Sequence, residues 1–274
     1  KVEADGIFGT GERFGFEGKL TVASNQPAGF SNWLTGSVDA SVRNLAALGF
    51  SADVDLKPAR QAFKNLELAI DASVFKGEAE RRTDGERPSI VARLTGGALP
   101  LSALVALGSG SLAGDDGKPM AGHDLALTLD AGPVTDDTIS AATLGLTLRL
   151  KKDRLDIDRL MITDVAGSTI SATAVADNLH AAMKLQADAS VISADAAPFL
   201  QTIATRLPEA NLLRQTLERM ASVPDFTKDL RANIVATSEA EGGIRALTVS
   251  YSAKTAGGGQ TAAATISGEG FSFS

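Results

Sequence analysis

A strand pattern that recurs on a long period constrains this chain more than any other feature. One copy runs Asn65-Leu66-Glu67-Leu68-Ala69-Ile70, then Val74 to Glu78, then Ile90 to Leu94. It ends in the apolar run Leu101 to Leu107, which reads as a helix. A second copy runs Leu144 to Leu150, Leu155 to Ile157, Ile170 to Ala174 and Met183 to Ala187, and closes in a helix around Phe199 and Ile203. A third begins near Leu230, and an incomplete first copy runs from Phe16 to Val22 and on through Phe30 to Leu34. Units of this kind do not bury an apolar face alone, and stacking them builds one continuous apolar surface.

Within each copy the apolar residues alternate. Leu66, Leu68 and Ile70 alternate with Glu67 and Ala69, and Leu125, Leu127 and Leu129 with Ala126 and Thr128. Leu144, Leu146, Leu148 and Leu150 alternate with Gly145, Thr147 and Arg149, and Leu247, Val249 and Tyr251 with Thr248 and Ser250. A period of two gives each strand one apolar and one solvated face. Leu155 and Ile157 fall on one phase while Leu160 and Ile162 fall on the other, which predicts a bulge near Arg159. The polar turns Lys151-Lys152-Asp153, Thr83 to Glu86, Glu239 to Gly243 and Gly257 to Gly259 predict hairpins, hence an antiparallel meander.

Helices are expected at Val38 to Leu48, entered from Ser37 and closed by Gly49, and at Pro100 to Leu107, followed by Gly108. Ala194 to Arg206 and Pro208 to Ala221 read as a helical hairpin, with Phe199, Leu200, Ile203 and Leu207, then Leu213, Leu217 and Met220, at helical spacing. Gly108 to Gly122 is the most loop-like stretch and reads as a hairpin excursion rather than a linker; it is the one place for a sub-boundary. The expected fold is mainly β: a curved antiparallel sheet forming a taco-like groove from repeated strand units across residues 1–274, with short helices at the repeat ends. The chain opens at Lys1 and stops at Phe271-Ser272-Phe273-Ser274, both within strand-like sequence, which predicts a segment of a longer protein with an edge strand at Phe271 and Phe273.

The 274 residues are 44% hydrophobic but only 5% aromatic, so the apolar faces are made of Ala, Leu, Val and Ile. A net charge of −7 and a pI near 5.0 argue against nucleic acid as a partner. With no cysteine, disulfides, thiolate metal sites and cysteine nucleophiles are excluded. No apolar run approaches the roughly 20 residues that span a bilayer, and no signal peptide is visible.

Candidate chemistry is sparse. His123 and His180 are the only histidines and form no cluster. Gly6 to Gly11 and Gly108 to Ser111 lack the Gly-Lys-Ser/Thr ending of a phosphate loop and read as turn glycines. The pairs Asp156/Asp158 and Asp53/Asp55 each share a strand face, but opposite to Leu155, Ile157, Val54 and Leu56, which makes them solvent-face acids rather than an acid–base pair. Asp115-Asp116 and Asp136-Asp137 are loop acids with a weak claim to calcium. Glu78, Glu80, Arg81 and Arg82 read as charges protecting a sheet edge. No Ser/His/Asp set assembles. The chain is therefore expected to be non-catalytic and without cofactor or metal. Its distinctive residue class is the apolar stripe. On any one strand that stripe is core. Across many Ala/Leu/Val faces with few aromatics, a wide sheet left partly uncovered needs a ligand or a partner.

Two stretches carry a family resemblance. Phe16-Glu17-Gly18-Lys19-Leu20-Thr21-Val22-Ala23-Ser24 leading into Phe30-Ser31-Asn32-Trp33-Leu34 resembles the AsmA-like proteins of Gram-negative bacteria. So does Leu155-Asp156-Ile157-Asp158-Arg159-Leu160 leading into Ala166-Gly167-Ser168-Thr169-Ile170-Ser171-Ala172, with Met183 to Ala189 and the Pro198-Phe199-Leu200 helix in the places that follow. The resemblance implies a periplasmic repeating β-groove. It also implies attachment to the inner membrane through an anchor outside this segment, and handling of phospholipid acyl chains between inner and outer membranes or support of outer-membrane assembly, with envelope proteins as partners. The groove lining expected on that basis is Leu66, Leu68, Ile70, Leu125, Leu127, Leu129, Leu144, Leu146, Leu148, Leu150, Met183, Leu185, Leu247 and Val249, with Ala172, Ala174 and Ala187 leaving room for a chain. The alternative is a structural or interaction module of the envelope with a filled core and no lipid.

Overall fold

The computed structural model describes residues 1–11, 14–27, 46–100, 123–135, 140–179, 183–207, 212–241, 244–267 and 270–273. The chain is mainly β, a large mixed sheet with a few short helices, and it divides into two compact units.

The first unit covers Lys1–Val134 together with Arg149–Lys152. Its strands are β1 (Val2–Gly9), β2 (Gly15–Ser24), β3 (Leu48–Lys57), β4 (Arg60–Ile70), β5 (Ser73–Arg82), β6 (Ser89–Gly96), the short β7 (Leu99–Pro100) and β8 (Asp124–Ala131). Neighbours follow chain order from β1 to β6, all antiparallel. The expected antiparallel meander fails at one joint: β8 lies parallel to β6, Ile90 beside Leu125 and Leu94 beside Leu129. Parallel neighbours require a crossover of about a dozen residues or more, and residues 97–123 supply that length.

Leu48 opens β3, and Gly49 lies within it opposite Ala23, so the helix expected over Val38 to Leu48 does not reach its end. The rest of that helix, the run Leu101 to Leu107 and the loop 108–122 lie outside the described residues, while Pro100 ends β7.

In β4 the register shifts between Phe63 and Leu66, and Asn65 between them takes φ 48°, a left-handed conformation that asparagine tolerates. The shift brings Phe63 onto the same face as Leu66, Leu68 and Ile70. Phe50, Leu68, Phe75, Gly96 and Ala131 then succeed one another across β3, β4, β5, β6 and β8. Ala52, Val54 and Leu66 centre a cluster with Phe16, Leu20, Phe50, Leu56, Phe63, Leu68, Ala79 and Leu94, all on that face. Phe50 and Phe63 meet edge to face at 6.0 Å.

The opposite face is charged and cross-paired. Arg93 lies 2.7 Å from Glu78, and Arg60 joins Asp55 at 3.1 Å to Glu80 at 2.6 Å. The Glu78 to Arg82 charges do not guard an edge, because β5 lies between β4 and β6. Arg81 in fact stands on the apolar face, donating to Gln61 Oε1 at 2.9 Å at its polar rim.

The second unit covers Thr135–Leu148 and Asp153–Ser274. After the short β9 (Val134–Thr135) and β10 (Ser140–Ala141) come β11 (Thr143–Lys151), β12 (Arg154–Val165), β13 (Ser168–Asp177) and β14 (Lys184–Asp195). The helices α1 (Ala197–Ala204), α2 (Leu212–Ala221) and α3 (Pro224–Thr227) follow. Then come β15 (Lys228–Glu241), β16 (Ile244–Thr255), β17 (Gly258–Ser267) and β18 (Gly270–Phe273). From β12 to β18 the strands are antiparallel neighbours in chain order. The bulge expected near Arg159 is present as a register shift between Ile157 and Leu160.

The helical hairpin stands close to where its periodicity places it, although Ala194 and Asp195 still belong to β14. Pro198 in the first turn and the Asp195 carboxylate, accepting the Ala197 N–H at 3.1 Å, start α1. That bond, with Lys228 at 3.0 Å, holds the Asp195 carboxyl below its usual range. Phe199, Leu200 and Ala204 are buried on α1. The Asp225 backbone carbonyl in α3 accepts from Thr255 Oγ1 at 2.7 Å and from the Gly257 N–H at 3.1 Å, which ties that helix to the end of β16 and the turn after it.

Candidate functional site

Each unit carries one apolar sheet face, and the register of the second resolves into rows running across the strands. Val165, Ser168, Ser193 and Leu230 form the row nearest the helices. Next come Ile162, Ile170, Val191, Ala232, Ala253 and Gln260, then Leu160, Ala172, Ala189, Ile234, Tyr251 and Ala262. The fourth row is Ile157, Ala174, Ala187, Ala236 and Val249. Leu155, Ala176 and Leu185 stand in the fifth, towards which Leu247 also lies.

Rows two residues apart on a strand are separated by about 6.7 Å, and neighbouring strands by about 4.8 Å. Ala172, Ala174, Ala187, Ala189 and Ala236 therefore form a patch two rows deep and three strands wide, every member ending at Cβ. Ile157, Leu160, Ile170, Val191, Ile234, Val249 and Leu185 surround it and rise above it. By side-chain length the face is therefore lowest at the five alanines and bounded by longer aliphatic residues. No charged residue stands in rows two to four.

Burial grades along the strands. Val191, Leu230 and Ala232, next to the helix end, are 4–6% exposed. The five alanines of the floor are only half-buried. The polar atoms at the far rim are satisfied: Ser238 Oγ accepts the Leu185 N–H at 2.8 Å and donates to the Met183 carbonyl at 3.2 Å.

Of the residues expected to line a groove, Leu66, Leu68, Ile70, Leu125, Leu127 and Leu129 share the apolar face of the first unit. Leu185, Leu247 and Val249 share that of the second, with Met183 just ahead of β14. On β11, Leu144 and Leu150 are buried and Leu146 and Leu148 half-buried.

The hollows beside the polar faces are shallow. One of about 440 Å³ lies against Asn233, Ser250, Ser252 and Thr261, and one of about 470 Å³ against Asp158, Arg159, Ser171 and Asp188. In the first unit one of about 390 Å³ lies against Glu17, Asp53, Asp55 and Arg60. The acids on these faces have partners: Asp53 accepts from Asn65 at 2.7 Å, Asp55 is joined to Lys57 and Arg60, and Asp156 lies 2.8 Å from Arg154. The Asp156 hydrogen bond raises the Arg154 guanidinium above its ordinary value. No group of three or more His, Asp or Glu poised to hold a metal occurs among the described residues. His123 precedes β8. His180, Asp115-Asp116, Asp136-Asp137 and the Gly108 to Ser111 turn lie outside the described residues. Gly6 and Gly9 lie in β1, opposite Gly18 and Gly15, and are followed by a strand, not by the helix a phosphate loop needs.

Comparison with protein-family models, with curated proteins and with solved structures found no match to this chain.

Proposed function

We propose that this chain is a non-catalytic segment of an AsmA-like envelope protein that shields lipid acyl chains during transport between membranes or outer-membrane assembly. The observation that carries the proposal is the patch of five half-buried alanines on the apolar face of the second unit, bounded by longer aliphatic residues. No charged residue stands among them. An acyl chain enters such a site by partition, gaining about 0.8 kcal/mol per methylene removed from water, without directional contacts. The taco-like groove, the repeated strand unit and the wider lining from Leu66 to Val249 belong to the same proposal, as do a periplasmic location and envelope partners. Among the described residues no helix is long and apolar enough to cross a membrane, so attachment in this scheme uses an anchor outside them.

A filled-core structural module is the second reading, and burial in the first unit favours it there. Val54, Ile70 and Phe75 are 2–3% exposed, which leaves no open floor at those positions.

Leu185→Arg separates the two. In an open groove wall the long cation reaches water, so the variant keeps its fold and loses lipid. In a filled core the same arginine is buried unpaired and threatens folding. Thermal unfolding and bound lipid, read on the same sample, decide: an unfolded variant together with a lipid-free parent protein contradicts the proposal.

A further inference from the structure

Among the described residues, two buried side-chain polar atoms lack a hydrogen-bond partner, Ser168 Oγ and Gln260 Nε2. Both stand on the apolar face of the second unit. Buried polar groups nearly always find a partner, so each needs a physical reason.

Their surroundings differ. Ser168 is 1% exposed and stands in the row nearest the helices, beside Ser193. Gln260 is only partly buried on β17, opposite Ala253, and the adjoining row holds Tyr251 and Ala262. That row leads across β15 and β14 to the alanine floor. A carboxamide here places an unpaired N–H donor on a face whose second to fourth rows are otherwise aliphatic except for Tyr251.

We infer that Gln260 binds the carbonyl oxygen of an acyl lipid whose tail lies across Ala236, Ala187 and Ala174. The inference rests on the lipid reading above and adds the polar group and the orientation of the ligand. The Gln260 Nε2–H donates to the acyl oxygen, which satisfies the orphan donor. From Gln260 on β17 to Ala174 on β13 the tail crosses four strand spacings and two rows, about 23 Å. Tyr251 stands beside this path, and burial pushes its phenol up, so it stays neutral next to the chain.

The test uses the described chain and three probes of equal tail length: hexadecane, methyl hexadecanoate and hexadecanoate. Occupancy of each is read by native mass spectrometry. Both oxygenated probes should bind roughly fivefold better than hexadecane, the scale of one net hydrogen bond. Gln260→Leu should remove that advantage while hexadecane binding stays, and its unfolding midpoint should equal or exceed that of the parent. Gln260→Glu, which offers oxygen acceptors in place of the donor, should remove the advantage for the ester independently of any packing change. A preference for both oxygenated probes assigns the site to an acyl carbonyl in general, and a preference for hexadecanoate alone assigns it to a free carboxylate; either sustains the inference. Equal binding of all three by the parent, or a preference that survives both variants, overturns it and leaves the groove standing. Binding of none overturns the groove as well.

Discussion

The Arg60 guanidinium grips one oxygen of Glu80 with two nitrogens, Nε at 2.9 Å and Nη2 at 2.6 Å, across the β4–β5 ladder and over Ala62. Arg60, helped by Arg82, holds the Glu80 carboxyl down at about 2, well below its ordinary 4.5. A carboxyl depressed in the folded state adds stability that is complete above its unfolded value and fades as the pH falls toward its folded one. Glu80→Gln is therefore expected to lower the unfolding midpoint at pH 7, with the gap to the parent closing between about pH 5 and pH 2. Thermal unfolding of both proteins across that range checks it, and a constant gap would show that packing, not charge, is lost.

Ser168 and Ser193 stand opposite one another, but their hydroxyls differ: Ser193 Oγ donates to the Gly167 carbonyl at 3.1 Å, and Ser168 Oγ has no partner. Removing a buried hydroxyl that makes no bond is neutral or stabilising, whereas removing a bonded one costs about 1 kcal/mol. Ser168→Ala should match or exceed the parent in denaturant midpoint and Ser193→Ala should fall below it. The reverse order would place a bonding partner at Ser168.

Gly77 lies against the neighbouring strand so closely that a Cβ there would run into the Arg93 carbonyl. Backbone does not yield as a flexible side chain does. Gly77→Ala is expected to cost about 1–3 kcal/mol by overpacking. An unchanged midpoint in chemical unfolding would mean that β5 and β6 separate freely at this point.

Much of the strand content was legible because alternation survives any choice of neighbours: Leu66, Leu68 and Ile70 must share a face wherever β4 pairs. The bulge at Ile157–Leu160 was legible too, since the apolar phase itself changes there. Strand order was not. Leu125, Leu127 and Leu129 alternate identically in a parallel or an antiparallel neighbour, so the β6–β8 pairing left no mark. The charges at Glu78 to Arg82 fit an edge as well as the interior strand they occupy. The alanine floor was partly legible in Ala172, Ala174 and Ala187, but its extension to Ala189 and Ala236 needs the cross-strand register. The place of Gln260 was not legible, because alanines stand on both phases of β17, at Ala262 and Ala263, and hide which face is apolar.

The central claim is that the alanine floor holds acyl chains. Native mass spectrometry of the gently purified chain, beside Ala187→Trp, tests it most directly. Ala187 is half-buried, so an indole placed there covers the alanine patch while leaving the strand ladder intact. The account predicts that the parent protein carries acyl-lipid mass, and that the variant keeps its unfolding midpoint and carries none. A parent protein free of lipid, or a folded variant that carries as much as the parent, would contradict it.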